Sequence, residues 1–314
     1  MSAGRQQRFA YAAWIAVCVF WGTTYLAIRI CLETMPPMVM AGLRHFVAGV
    51  LLCAVLVARG VAPPERSSWP GLALLGVLLL GLGNGCVVWA EQWVPSGVTA
   101  VIVASVPFWM VGLEALLPSG DRLTVRHLTG LVLGFVGILM LVWPDLRATG
   151  PAGRQFLGGV IALQIACVGW TLGSTYSRRH ARHENALGAA ALQMVFGGVA
   201  LLLAGTALGE WPRLHVTPRT AAALVYLITL GSIVGYTAYV YALKYLPVAT
   251  VSLYAYVNPV IAVVLGTLVA DEPFTGRMAL AIVVIFLGIL VVRAGQGVAS
   301  LRAWFPRLLG SQAE

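Results

Sequence analysis

Charge is what this chain has least of. Of its 314 residues only 10% are Asp, Glu, Lys or Arg, where a soluble domain carries about 25%. Acids are the scarcest, 11 against 20 basic residues, for a net charge of +9. A chain so short of polar surface cannot cover a water-soluble fold of this size. The deficit excludes a soluble enzyme, a nucleic-acid-binding domain and a disordered protein. Cysteine is also sparse. Cys18, Cys31, Cys53, Cys86 and Cys167 are odd in number, lie in or beside apolar runs and form no CxxC. They read as reduced, buried thiols rather than a disulfide framework or a zinc site. No Walker sequence, dinucleotide-binding glycine pattern or nucleophile elbow is present, so the chain itself is not expected to hydrolyse ATP or to bind a cofactor.

Apolar length is abundant. Hydrophobic residues make up 60% of the chain, and mean hydropathy is +0.88. A helix needs about 20 mainly apolar residues to cross the hydrocarbon layer, and ten runs meet or approach that length. They are Ala10 to Ile30, Pro37 to Ala58, Pro70 to Gln92, Ser96 to Leu117, Val125 to Trp143, Gly158 to Arg178, Ala186 to Leu208, Thr220 to Tyr245, Val248 to Ala270 and Gly276 to Val292. The fold class is therefore an all-α polytopic membrane protein with ten transmembrane helices. The first run continues too far past Arg5 and Arg8 for a signal-peptide core and reads as an uncleaved span.

Basic residues orient the runs. With a cytoplasmic N-terminus, the outer segments hold Arg29, Arg147, Arg154, Arg213, Arg219 and Arg277. Arg44 lies within a span, and the other thirteen basic residues fall inside. Both termini are then expected in the cytoplasm, as an even number of spans requires.

The chain also matches itself. Trp89-Ala90-Glu91-Gln92-Trp93-Val94-Pro95 resembles Tyr241-Ala242-Leu243-Lys244-Tyr245-Leu246-Pro247. Pro107 matches Pro259, Thr124 matches Thr275, Gly137 matches Gly288, and Gly22-Thr23-Thr24-Tyr25 matches Gly173-Ser174-Thr175-Tyr176. The offset is 151 or 152 at every place. A repeat of five spans is odd, so the second copy is expected to lie inverted in the membrane, an architecture of carriers. The boundaries read as a short N-terminal segment (1–9), a first repeat (10–143), a linker (144–157), a second repeat (158–293) and a cytoplasmic tail (294–314).

With this repeat, the segments Phe20 to Arg29, Asn84 to Gln92, Ala255-Tyr256-Val257-Asn258-Pro259 and Asp271-Glu272-Pro273 resemble the drug/metabolite transporter superfamily, specifically its EamA-type carriers. The likeness extends from about Ala10 to Arg293. It implies an inner-membrane carrier exporting small metabolites, with amino acids as the leading class. Multidrug or organic-cation efflux, a lipid flippase and a membrane enzyme are the rival readings. A small-molecule substrate and the lipid bilayer are the implied partners, nucleic acid is not, and a monomer is expected.

Polar groups inside a bilayer cost about 2.5–3.5 kcal/mol each on insertion scales and so tend to face a cavity or a partner. Arg44 lies about two turns into its span; it reads either as a substrate-anion contact or as a structural pair. His45 points about 100° away and reads as a packed neutral ring. The substrate-cavity candidates are Trp21, Thr24, Tyr25, Arg44, Asn84, Trp89, Ser105, Trp109, Trp170, Ser174, Tyr176, Tyr236, Tyr254 and Asn258. Aromatic walls suit amphipathic or cationic organic groups. Arg29, Glu91 and Lys244 are gate candidates, with Arg29 and Glu91 expected to pair at the outer end; an interfacial salt bridge is the alternative. Pro107 and Pro259 are expected to kink their helices. Glu114 reads as snorkelling or as a proton carrier. No acid falls in the middle third of a run, so no carrier for proton coupling is evident. The Arg178 to Glu184 stretch reads as a basic loop, not a metal site.

Overall fold

A computed structural model of the chain describes residues 3–117, 124–146, 150–180, 185–246, 251 and 253–309, with side chains left aside at 3–4, 145–146, 178, 180, 243–244 and 293–309. Among the described residues every regular element is helical. Eight helices are long and apolar enough to cross a membrane, and Tyr254–Val269 and Gly276–Val292 are shorter apolar helices. Each corresponds to one of the ten apolar runs.

In chain order the helices are α1 (Ala3–Cys31), α2 (Pro37–Ala58), α3 (Arg66–Ala90), α4 (Ser96–Val103), α5 (Val106–Leu116), α6 (Val125–Leu146), α7 (Pro151–His180), α8 (Ala186–Ala207), α9 (Pro218–Tyr226, Leu227–Val234 and Gly235–Tyr245 in one run), α10 (Tyr254–Val269) and α11 (Gly276–Leu309). The starts carry recognisable signals. Pro37 and Pro218 stand at first-turn positions, where the missing N–H has no intrahelical partner to lose. Thr217 and Thr220 form a reciprocal capping box at the start of α9, and the Asn185 side chain accepts from the Gly188 N–H at the start of α8.

Two helices change their winding partway. Gly76–Asn84 of α3 and Leu227–Val234 of α9 are wound as π-helix. Such stretches are rare and recur at functional sites. Leu227 lies 151 positions after Gly76, the offset at which the two halves of the sequence match.

Proline behaves differently at its two matched positions. Pro259 lies inside α10, as expected of a kink. Pro107 instead follows a turn within the span Ser96–Leu116. The fourth run is interrupted at Ala104 and Ser105, and Pro107 stands in the first turn of α5, where proline costs little.

The chain divides into two compact units. The larger comprises residues 1–104 and 145–274. Within it α2 packs along α8, α1 packs on α9 and α10, α7 packs on α3, and α4 packs on α10. Glycines permit the close approaches. A Cβ at Gly49 would stand 2.7 Å from the Ala191 oxygen, and one at Gly198 would stand 2.4 Å from the Phe46 nitrogen. Small residues at crossings suit association in lipid, where packing replaces the hydrophobic drive. Apolar clusters fill the spaces, a small one gathering Ala10, Ala242, Leu246 and Val251 and two larger ones lying elsewhere in the unit. One gathers Ile28, Cys31, Met35, Met40, Val88, Leu201 and Leu227, the other Leu52, Leu80, Met194 and Ile228.

The smaller unit comprises residues 105–144 and 275–314. Here α6 and α11 meet along glycine, with Gly130 against Gly288 and Val292, and Gly137 against Ile285. Phe108 is buried against Gly134 and Phe135.

Candidate functional site

The site is built on α2, the π-wound part of α9, and the aromatic face of α1 in the larger unit. A π-wound stretch alters the regular backbone ladder, and two side chains engage this one. The Trp21 indole Nε1 donates to the Gly231 carbonyl at 3.0 Å, and Arg44 Nε donates to Ser232 Oγ at 3.1 Å. Gly231 is small because three groups converge on it. A Cβ there would meet Thr24 Cγ2 at 3.0 Å and an Arg44 terminal nitrogen at 3.4 Å, while its carbonyl is held by Trp21. One turn on, a Cβ at Gly235 would stand 2.4 Å from Trp21 Nε1.

Trp21 is the centre of an aromatic cluster. Tyr236 meets it at 5.6 Å, Tyr239 at 5.3 Å and Tyr254 at 5.0 Å between ring centroids, and Tyr239 meets Tyr254 at 5.9 Å. Most of these rings meet edge-on, the arrangement favoured by the ring quadrupole. Asn258 closes this side. With its amide nitrogen turned toward α1, it donates to the carbonyls of Cys18 and Tyr254, each at 3.0 Å.

Arg44 is 4% exposed, and its Nη1 has no hydrogen-bond partner. Burying a charge without a partner is costly, so this nitrogen is available to an anion or to water. Its neighbour His45 lies on a different face, about 100° round the helix, and its Nε2 donates to Asn84 Oδ1 at 3.0 Å. Asn84 ends the π-wound part of α3. Adjacent residues of α2 therefore hold the two π-wound stretches, one by a cation and one by a neutral ring.

Further buried polar atoms without partners lie in the same unit: His45 Nδ1, both Glu91 carboxylate oxygens, Ser96 Oγ, Thr99 Oγ1 and Thr171 Oγ1. They come from α2, α4, α7 and the residue that follows α3. Native interiors leave few such atoms, and each requires an explanation such as water or a ligand.

The end of the unit that carries the α1–α2 connection is tied by polar contacts. Glu210 Oε2 accepts from the Val39 N–H at the start of α2, 2.9 Å away. Glu272 accepts from the Ser96 and Gly97 N–H groups at the start of α4, at 2.7 and 3.0 Å. A carboxylate on a helix N-terminus satisfies donors that the helix leaves open. Arg29 and Glu91 do meet at this end, but not through the carboxylate. Arg29 Nη1 donates to the backbone carbonyls of Glu91 and Gln92, at 2.5 and 3.4 Å. Glu33 pairs with Arg219 at 3.1 Å on the exposed rim.

The structure thus brings Trp21, Thr24, Arg44, Tyr236, Tyr254 and Asn258 to one region. Other candidates lie apart. Trp89 stacks on Trp93 at 4.6 Å beside Gly158. Trp170 packs against Gly83 of the first π-wound stretch. The Tyr176 hydroxyl reaches toward Gly71. Tyr25 and Ser174 are half-buried on α1 and α7. Ser105 is buried, and Trp109 meets Phe135 at 6.0 Å, both in the smaller unit. Glu114 is half-buried on α5, and Arg179 is exposed. The side chains of Lys244 and Arg178 and most of the basic loop lie outside what is described. Ser232 escapes notice in the sequence; its signal is a hydroxyl directly after glycine in a mainly apolar run that also holds Thr229.

Comparison with known proteins agrees with this helical carrier-like arrangement. The EamA-like transporter family model matches the chain twice, over residues 8–143 and 157–294. The chain belongs to the EamA-like transporter family. It is 36% identical over 298 residues to the uncharacterized inner membrane transporter YedA of Escherichia coli K12, covering 93% of each chain. A protein of the same organism named as a probable amino-acid metabolite efflux pump is 25% identical over 289 residues, covering 88% of this chain and 92% of that one. A solved crystal structure shares the fold with a TM-score of 0.64 at 22% identity, covering 90% of this chain and 95% of the other. Family and relatives indicate a transporter rather than an enzyme.

Proposed function

We propose that this transporter is a secondary carrier that exports amino acids or closely related zwitterions across the bacterial inner membrane. The observation that carries the reading is Arg44, a buried guanidinium with an unpartnered nitrogen, set beside the Trp21, Tyr236, Tyr239 and Tyr254 cluster. A guanidinium recognises a carboxylate. Aromatic faces attract an ammonium group. Together they suit a molecule carrying both. Arg44 disfavours a purely cationic drug, because a buried like charge repels it.

Alternating access fits the organisation. The family model matches twice in tandem, the two π-wound stretches sit one repeat apart, and α1 packs on α9 as α7 packs on α3. Exchange of the two halves interchanges these pairings. We read them as inverted five-helix repeats making ten spans, with both termini on the cytoplasmic side and the monomer as the working unit. The relative YedA is named an inner membrane transporter, which supports the location. The efflux-pump relative supports the substrate class and direction.

Counterflow tests the reading. Proteoliposomes loaded with unlabelled amino acids, nucleosides, sugars or organic cations are given labelled L-phenylalanine without an ion gradient. Uptake driven by loaded amino acids, and lost in R44Q, is the expected result. Exchange of organic cations instead would replace this reading with drug efflux.

A further inference from the structure

Glu91 follows the span Arg66–Ala90 by one residue, yet it is 0% exposed. Neither carboxylate oxygen has a hydrogen-bond partner. An ionised carboxylate in that position would forfeit its water and gain no donor, a cost of several kcal/mol. The neighbouring groups do not supply one. Arg29 on α1 gives its Nη1 to the Glu91 and Gln92 backbone carbonyls. Glu272, beyond α10, is already occupied as the N-terminal cap of α4 and stands close enough to repel a second anion. Among the described residues, Tyr25 and Cys31 on α1 and Arg44 on α2 are further titratable groups near it, with Cys167 on α7 beside Tyr25. The α4 segment Ser96–Val103 contributes hydroxyls but no titratable side chain. Burial, with Glu272 adding to it, holds the Glu91 carboxyl well above the ordinary carboxylate range, against smaller pulls from Arg29 and Arg44.

We infer that Glu91 carries a proton in this conformation and exchanges it during the transport cycle. The inference rests on the carrier reading above and gives that carrier its coupling group. As the α1–α2 end parts, Arg29 leaves the two carbonyls and water reaches the carboxyl. The O–H bond then breaks, its proton passes to water, and the carboxylate left behind pairs with the freed Arg29. When the site faces the other side of the membrane, a hydronium ion of that side supplies the proton, the O–H bond re-forms as the ion pair with Arg29 breaks, and Arg29 returns to the two carbonyls. Glu210 and Glu272 are unsuited to this role, because each is already engaged as an acceptor of backbone N–H.

Two measurements on the full-length protein decide it. Infrared spectra of the purified wild type and E91Q, in detergent at neutral pH, read the proton directly. A carboxylic-acid C=O band present in the wild type and missing from E91Q is expected; identical bands in the two proteins would overturn the inference. The second measurement drives labelled L-phenylalanine into proteoliposomes with a pH gradient. A gradient of about one unit sustains roughly tenfold accumulation for each proton exchanged. Wild type and E91D should accumulate, and E91Q should lose nearly all of that accumulation while its gradient-free counterflow falls far less. Accumulation by E91Q equal to wild type would overturn the inference. A wild type that exchanges no L-phenylalanine at all would count against the substrate reading alone, and the infrared band would still decide the proton.

Discussion

The π-wound stretches of α3 and α9 occupy matching places in the two halves, yet their surroundings differ in chemistry. Gly76–Asn84 is enclosed by backbone and by neutral groups. A Cβ at Gly76 would meet the Gln193 oxygen at 2.5 Å and the Gly197 nitrogen at 2.8 Å, and Asn84 is held by His45. Leu227–Val234 instead faces a cation and an indole, with Arg44 on Ser232 and Trp21 on the Gly231 carbonyl. The winding recurs, but the first stretch is met by backbone and an imidazole, and the second by a guanidinium whose Nη1 has no hydrogen-bond partner. On the proposed reading, the first stretch is framework and the second is site.

The sharpest way to break that comparison is to add a methyl group to each. Gly76→Ala drives a Cβ into backbone of α8, which cannot rotate away. A loss of about 3 kcal/mol, the upper end for overpacking, is expected as a lower Tm in detergent. Gly235→Ala drives its Cβ into the Trp21 ring, a side chain that can move at some cost. It should lose less stability but most of its counterflow, because the ring is displaced from Gly231. Equal losses of stability and of counterflow in the two variants would erase the distinction.

The two side chains of α2 offer a second test. His45→Leu leaves the part-buried Asn84 Oδ1 without its donor, which costs about 1 kcal/mol, the lower end for an unsatisfied group; Tm should fall while the Michaelis constant changes little. Arg44→Gln removes a buried charge that has no ionic partner among the described residues, so Tm should hold or rise. A hydrogen bond to a charged group contributes about 1.5–3 kcal/mol, so counterflow of L-phenylalanine should fall roughly tenfold to a hundredfold. A large fall in Tm for R44Q would make Arg44 a structural residue.

The membrane fold is largely legible in the chain, because apolar run length and helix length are set by the same hydrocarbon thickness. Each of the ten runs overlaps a helix, although the helices begin up to seven residues earlier at Ala3 and Pro151, and the last continues to Leu309, well past Val292. The separation of Arg44 and His45 onto different faces, about 100° apart, also follows from the 3.6-residue turn. What the chain does not disclose is set by tertiary packing. The π winding leaves only a faint trace, the glycines at 76, 83, 231 and 235 that let neighbours approach the backbone. Glu91 looks interfacial because it stands at the end of an apolar run, and its complete burial is set by tertiary packing that the run does not disclose. Pro107 reads as a kink because sequence spacing cannot distinguish a bent helix from one that stops at Ala104 and restarts.

The smallest expected effect probes the indole that joins the aromatic cluster to the second π-wound stretch. Trp21→Phe keeps an aromatic ring for Tyr236, Tyr239 and Tyr254 but removes the Nε1 donor to Gly231. One neutral hydrogen bond contributes about 0.5–1.5 kcal/mol, so a Tm lowered by a few degrees and a several-fold weaker L-phenylalanine exchange are expected. Trp170 supplies the control. Its ring lies against Gly83, where a Cβ would stand 3.2 Å from ring carbon Cε3, and its role there is packing. Trp170→Phe should therefore cost less than Trp21→Phe in exchange, whatever it costs in stability. If the two variants lose exchange equally, the carbonyl of Gly231 has no special part in the site, and the difference between the two π-wound stretches reduces to the charge on Arg44.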